Sequence, residues 1–182
     1  MRWQWMALLA AVGAHMNWAG GGATADAPKP DPKAGWLGVF PELTGYQRTF
    51  TAPVVMTDKD KKPIAYRQTA KYEWTGGDIR LFEVTLARDP AFKQKYAAEN
   101  LRKEAKAPKE VRVGKLTGWL WQFEPDKTKP DAIANRLVVP LAEDKVLIVE
   151  DKFGKQEIML GLLEQFDLAG ITKALEAPPK TE

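Results

Sequence analysis

The stretch "AYRQTAKYEWTGGDIRLFEVTLAR" (65–88) carries two readings that agree with each other. Tyr66, Gln68, Ala70, Tyr72 and Trp74 alternate with Arg67, Thr69, Lys71, Glu73 and Thr75, the period of a half-buried strand. Gly76 and Gly77 mark a turn, and Phe82, Val84 and Leu86 resume the alternation. A two-residue loop would set Tyr72 against Leu81 and strand Phe82 beside Lys71. A three-residue loop, Gly76-Gly77-Asp78, pairs Tyr72 with Phe82, Ala70 with Val84 and Lys71 with Glu83. A slip of one residue exchanges the faces, so the register that groups the apolar side chains is the expected one.

Outward from this hairpin, "TDKDKKP" (57–63) has two carboxylates but neither the glycine nor the closing Glu of a calcium loop, and it reads as a polar hairpin turn. Downstream, Asp89-Pro90 opens a helix, with a capping carboxylate and a proline suited to the first turn. Phe92, Tyr96, Ala97, Leu101 and Ala105 recur at helical spacing up to Pro108. Lys95 and Glu99 are expected to pair along it.

Three further stretches read as strands. "EVRVGKLTGWLWQFE" is one bent strand or two, divided within 114–118. "NRLVVPL" and "KVLIVEDKF" form a hairpin turning at 142–145, with Leu141 expected against Val146, Val139 against Ile148 and Arg136 near Asp151. Both are apolar on each face, which implies cover on both sides of the sheet. Pro140 lacks an N–H and argues for an edge or a bulge. The chain closes with helical spacing from Ile158 to Phe166. Asp167 then caps a second helix carrying Leu168, Ile171 and Leu175. The predicted fold is α+β in β-β-β-α-β-β-β-α order, a mostly antiparallel sheet of six to seven strands with helices packed on it.

That order, with "VRVGKLTGWLW" after the middle helix and "FDLAGITKAL" at the close, resembles the PsbP/Mog1-like α/β/α sandwich over residues 45–176. The resemblance rests on element order and carries over no functional residue. It implies an accessory, assembly or binding module more readily than an enzyme.

The ends of the chain bear on location. Arg2 followed by the apolar run 5–12 and by Ala23-Thr24-Ala25 reads as a bacterial signal peptide, 1–25, cleaved after Ala25. The run falls short of the roughly 20 residues of a membrane span. A Pro-rich linker (26–35), one domain (36–176) and a polar tail (177–182) follow. The expected product is secreted or periplasmic, with no integral membrane segment after signal removal.

Residue inventory then narrows the chemistry. Beyond residue 25 there is no Ser, Cys or His, so neither a Ser-His-Asp triad nor a Cys-His pair can form. No metal site and no cofactor is expected, as phosphate and dinucleotide glycine motifs are absent. Removing Arg2 leaves 26 basic against 24 acidic residues, too small an excess to imply nucleic acid. Eight cations within 93–115 (Lys93, Lys95, Arg102, Lys103, Lys106, Lys109, Arg112 and Lys115) read as a solvated face, with contact to an anionic polymer as the alternative. Catalytic residues are therefore expected to be none. A carboxylate-based hydrolase drawing on acids such as Glu83, Glu124 or Glu150 remains an alternative.

Trp119, Trp121 and Phe123 alternate along one strand face. Burying a Trp is worth on the order of 4–6 kcal/mol by area, whereas stacking on a ligand ring returns about 1–3 kcal/mol. The row is accordingly read as a core wall meeting Phe92, Tyr96 or the closing helix. The alternative is a carbohydrate-binding module, for which Trp36, Trp119 and Trp121 are the candidate ligand contacts. The function expected is a non-catalytic exported domain that binds a protein or cell-envelope component.

Overall fold

A computed structural model describes residues 32–77, 81–102, 107–124, 132–152 and 155–179. The expected signal peptide and its cleavage point lie outside them. The fold is α+β: eight strands form one antiparallel sheet with helices packed on it. A 3-10 segment, Pro32–Val39, precedes β1 (Tyr46–Phe50), β2 (Val54–Thr57), β3 (Pro63–Trp74) and β4 (Leu81–Arg88). Two single-turn helices follow, α1 (Phe92–Lys95) and α2 (Ala98–Leu101). Then come β5 (Lys109–Val113), β6 (Leu116–Gln122), β7 (Asn135–Ala142) and β8 (Lys145–Asp151), and helices α3 (Gln156–Leu163) and α4 (Leu168–Ala174). The spatial order is β1-β3-β4-β8-β7-β6-β5, and β2 also pairs with β3, beside β1 on the same edge.

The β3–β4 register is the expected one: Tyr72 opposes Phe82, Ala70 opposes Val84 and Lys71 opposes Glu83. The turn at 57–63 is the expected polar one as well. Asp58 Oδ1 accepts from the backbone N–H groups of Asp60 (2.9 Å) and Lys62 (2.8 Å), folding β2 back onto β3. In the stretch 109–124 the two-strand alternative holds. The chain reverses at Gly114-Lys115, where Gly114 adopts φ 59°, and Gly118 lies within β6.

Two local expectations are corrected. In the β7–β8 hairpin the expected offset survives only beside the turn, at Ala142 and Lys145. A bulge between Pro140 and Ala142 shifts the rest by one residue, so Val139 faces Leu147 and Arg136 faces Glu150. Pro140 signals the bulge, and the extra residue re-aims every side chain beyond it. The helix after Asp89 is also broken. Asp89 Oδ1 accepts from Ala91 N–H at 2.9 Å ahead of the helix, whose N-cap is Ala91, without a side-chain bond; Ala97 is extended (φ −61°, ψ 130°) and α2 begins afresh. In one straight helix, Phe92 and Leu101 would point in opposite directions, about 180° apart at 3.6 residues per turn. The break lets both be buried. It also separates Lys95 from Glu99; the Lys95 ammonium lies 5.3 Å from the Tyr96 ring centre instead.

Alternation along the strands divides the core between the two faces of the sheet. One face carries Tyr72, Phe82, Leu86, Leu137, Leu147 and Val149, covered by the 3-10 segment, α3 and α4. Tyr72 stacks on Phe82 at 4.9 Å, and Phe166 meets Tyr72 edge-on. The expected cap of α4 is present, Asp167 Oδ1 accepting from Gly170 N–H at 3.0 Å. The opposite face carries a smaller cluster of Ala87, Val138 and Val146 under Phe92, with Tyr96, Trp121 and Ile148 at its margin. Trp36 draws the two ends of the domain together. Its ring is buried against Tyr66, and its indole N–H donates to the Ala177 carbonyl at 2.8 Å, across 141 residues.

Candidate functional site

The strand registers decide which polar and aromatic residues meet. On the face opposite the main core, Trp121, Arg136, Glu150, Glu83 and Lys71 lie side by side on β6, β7, β8, β4 and β3. Two of the acids named from the sequence, Glu83 and Glu150, are thus direct cross-strand neighbours. Glu124 lies past the end of β6 and is exposed. Such opposed positions have Cβ atoms about 4.5–5.5 Å apart, and like charges there repel. Each acid therefore has its own base on the next strand outward. Lys71 Nζ stands 3.4 Å from Glu83 Oε1, and Arg136 Nε donates to Glu150 Oε1 at 2.6 Å. One row further along, the Thr69 and Thr85 hydroxyls bond to each other at 2.8 Å.

The tryptophans named from the sequence are not brought together. Trp36 is buried on the main-core side of the sheet, while Trp119 and Trp121 point to the other side. Trp119 is 4% exposed, with the Arg102 guanidinium 5.8 Å from its ring. Trp121 is half-buried beside the Phe92 cluster, where the core reading placed it. For Phe123 the core reading is corrected: it lies past the end of β6, is exposed, and has the Arg136 guanidinium 5.8 Å from its ring centre instead of a core neighbour.

The chemistry this arrangement offers is charge neutralisation. Glu83 and Glu150 are each engaged by a cation on the adjoining strand, Lys71 at 3.4 Å and Arg136 at 2.6 Å. Among the described residues, no group of three or more acidic, His or Cys side chains converges to hold a metal ion. A cleft of about 280 Å³ between the β5–β6 turn and helices α3 and α4 presents Arg112 and Glu164 over an apolar floor, a single charge of each sign. The Tyr72 phenol is raised well above its ordinary range by burial, which the nearby Arg48 guanidinium opposes only in part. Its O–H donates to the Pro41 carbonyl at 2.9 Å, holding the loop before β1 onto the sheet.

A different feature stands out on the surface. Seven large apolar side chains are exposed among the described residues, and five of them (Phe50, Val54, Val55, Met56 and Ile64) sit on β1, β2 and the start of β3. All four residues of β2 are exposed. Among the described residues the strand pairs with β3 alone, which leaves its outer backbone edge open there. Val55 opposes Tyr66, whereas Val54 and Met56 oppose Arg67 and Ala65, so both faces of this arm carry apolar groups. The other sheet edge, β5, is guarded by Lys109, Glu110 and Arg112. The sequence reading located the turn at 57–63 but passed over 54–56. A short uncharged run of that kind reads equally well as a core strand, and the absence of any charge within it was the available signal.

The class defined by this geometry is an α+β sandwich on a single antiparallel sheet, with helices on both faces. Compared with protein-family models, curated proteins and solved structures, the chain matches none.

Proposed function

We propose that the protein is an exported, non-catalytic accessory module that docks a protein component of the cell envelope on its β2 arm. The carrying observation is the concentration of exposed apolar side chains on one open sheet edge while the opposite edge is charged. Exposed apolar patches rimmed by polar groups mark interaction sites. Export is supported by the leader-like composition of residues 1–25. A non-catalytic role is supported by the missing Ser, Cys and His beyond residue 25 and by the ion pairs that engage Glu83 and Glu150 with Lys71 and Arg136. The sandwich-like element order accords with such a role.

The test uses the full chain expressed in a bacterial host. N-terminal sequencing of the envelope-located product is expected to begin at Asp26. A photo-crosslinking amino acid at Val55 is expected to give a discrete adduct with an envelope protein, and the same group at Arg112 on the guarded edge is not. Product retained in the cytoplasm with residues 1–25 intact refutes export. Equal labelling at both edges refutes the arm as the docking surface.

A further inference from the structure

We propose that β2 accepts an extended, acidic segment of a partner protein as an added strand. This rests on the docking role of the arm and goes beyond it by specifying what binds and how. Added strands gain affinity from main-chain hydrogen bonds to an open edge and specificity from alternate side chains. Val54, Val55, Met56 and Thr57 supply such an edge, and no charge within the strand resists pairing.

The charge around this edge selects the partner. Lys59, Lys61, Lys62 and Arg67 are exposed and make no ion pair among the described residues. Of the two acids in the turn, Asp58 is occupied by the N–H groups of Asp60 and Lys62. Four cations therefore face two carboxylates, Asp58 and Asp60, a net excess of two positive charges around an apolar strand. An extended segment with a β-branched centre and flanking acids complements both the edge and its surroundings.

A second copy fits less well. Antiparallel pairing of β2 with itself about Val55 and Met56 would bring the cationic turn of each copy toward Arg67 of the other, and like charges in contact cost affinity. A four-residue edge is also only about 13 Å long. That is short of what the roughly 1,200–2,000 Å² of a stable interface requires. Apolar groups lie on both faces of the arm rather than on one, which suits strand pairing better than the one-sided seating of a lipid surface.

The experiment uses the mature chain and fluorescein-labelled octapeptides with a Val-Thr-Val-Thr centre. They are flanked by glutamates, by lysines, or by glutamates with a central proline. Anisotropy is expected to show the glutamate peptide binding at least about tenfold more tightly than the lysine peptide, a difference of about 1.4 kcal/mol. The proline peptide, lacking an edge N–H, is expected not to bind. The exposed substitution Val55→Lys is expected to weaken binding without loss of fold. The triple change Lys59→Glu, Lys61→Glu, Lys62→Glu is expected to reverse the charge preference.

Equal binding of glutamate and lysine peptides overturns the acidic partner while leaving the docking surface intact. Undiminished binding of the proline peptide overturns strand addition. A dimer in sedimentation that Val55→Lys dissolves, or co-sedimentation with phosphatidylglycerol vesicles, overturns the choice of partner. If no peptide binds yet Val55 still cross-links to one envelope protein, this inference fails and the docking role stands. If neither occurs, both fail.

Discussion

Trp36→Ala is the most informative single change for the packing of the domain. The indole is 1% exposed, contacts Tyr66 edge-on and donates to the Ala177 carbonyl. Truncating a buried Trp costs about 3–5 kcal/mol, from lost transfer energy and the cavity left behind. The lost hydrogen bond contributes at the low end of about 0.5–1.5 kcal/mol, because Ala177 is exposed and water can replace the donor. With a urea m-value of about 2 kcal/mol/M, the combined loss of about 3.5–5.5 kcal/mol should lower the unfolding midpoint by about 1.8–2.8 M. Far-UV circular dichroism is the suitable probe, since removing an indole alters the fluorescence baseline. Trp36→Phe keeps a ring but deletes the donor, and should fall by less than half as much. A midpoint for Trp36→Ala within about 0.5 M of the parent would refute the reasoning. It would mean that the segment from Pro32 to Val39 is not part of the cooperative unit.

Three further outcomes are expected. Burial raises the Tyr72 phenol, so the folded state holds its proton beyond the unfolded value of about 10. This contribution is fully present below that pH and is lost as pH rises above it. Melting temperature should therefore drop between pH 9 and 11 more steeply for the parent than for Tyr72→Phe, which at pH 7 costs about 0.5–1.5 kcal/mol for the lost bond to Pro41. Gly45 has φ +82° and an added Cβ would lie 2.3 Å from Trp74 Cζ3, so Gly45→Ala should cost at least about 1–3 kcal/mol in a denaturant melt. Asn135 is buried and donates to Asp151 Oδ2 at 2.8 Å. Asn135→Leu removes that donor from a buried carboxylate and should cost about 1–3 kcal/mol by the same assay.

Legibility in the sequence followed physical cause. The β3–β4 hairpin was readable because one register groups Tyr72, Phe82 and Val84 on a single face and every alternative scatters them. Asp167 was readable because a cap is a local contact between residues three apart. The β7–β8 offset was not, since Leu137, Val138 and Val139 are all buried and either register keeps apolar groups inside. The helix break escaped for a related reason: Phe92, Tyr96 and Ala97 fit a helix locally, and the conflict arises only when Leu101 must reach the same sheet. The pairing of Glu83 with Glu150 joins strands 67 residues apart in the chain, a distance across which spacing says nothing. The exposed edge at 54–57 depends on what does not cover it, which emerges only from the topology.

The bond from Trp36 to Ala177 draws the stretch between them into a nearly closed ring. Trp36 and Ala177 meet at one pole of the described residues, the pole where Tyr66 borders the strand at 54–57. A circular permutant that joins the old ends through a short glycine-rich bridge and opens at Glu143-Asp144 should therefore keep its architecture. Cargo joined directly at Trp36 or Ala177 would crowd the exposed strand, whereas the permutant would carry it at the hairpin tip opened at 143–144.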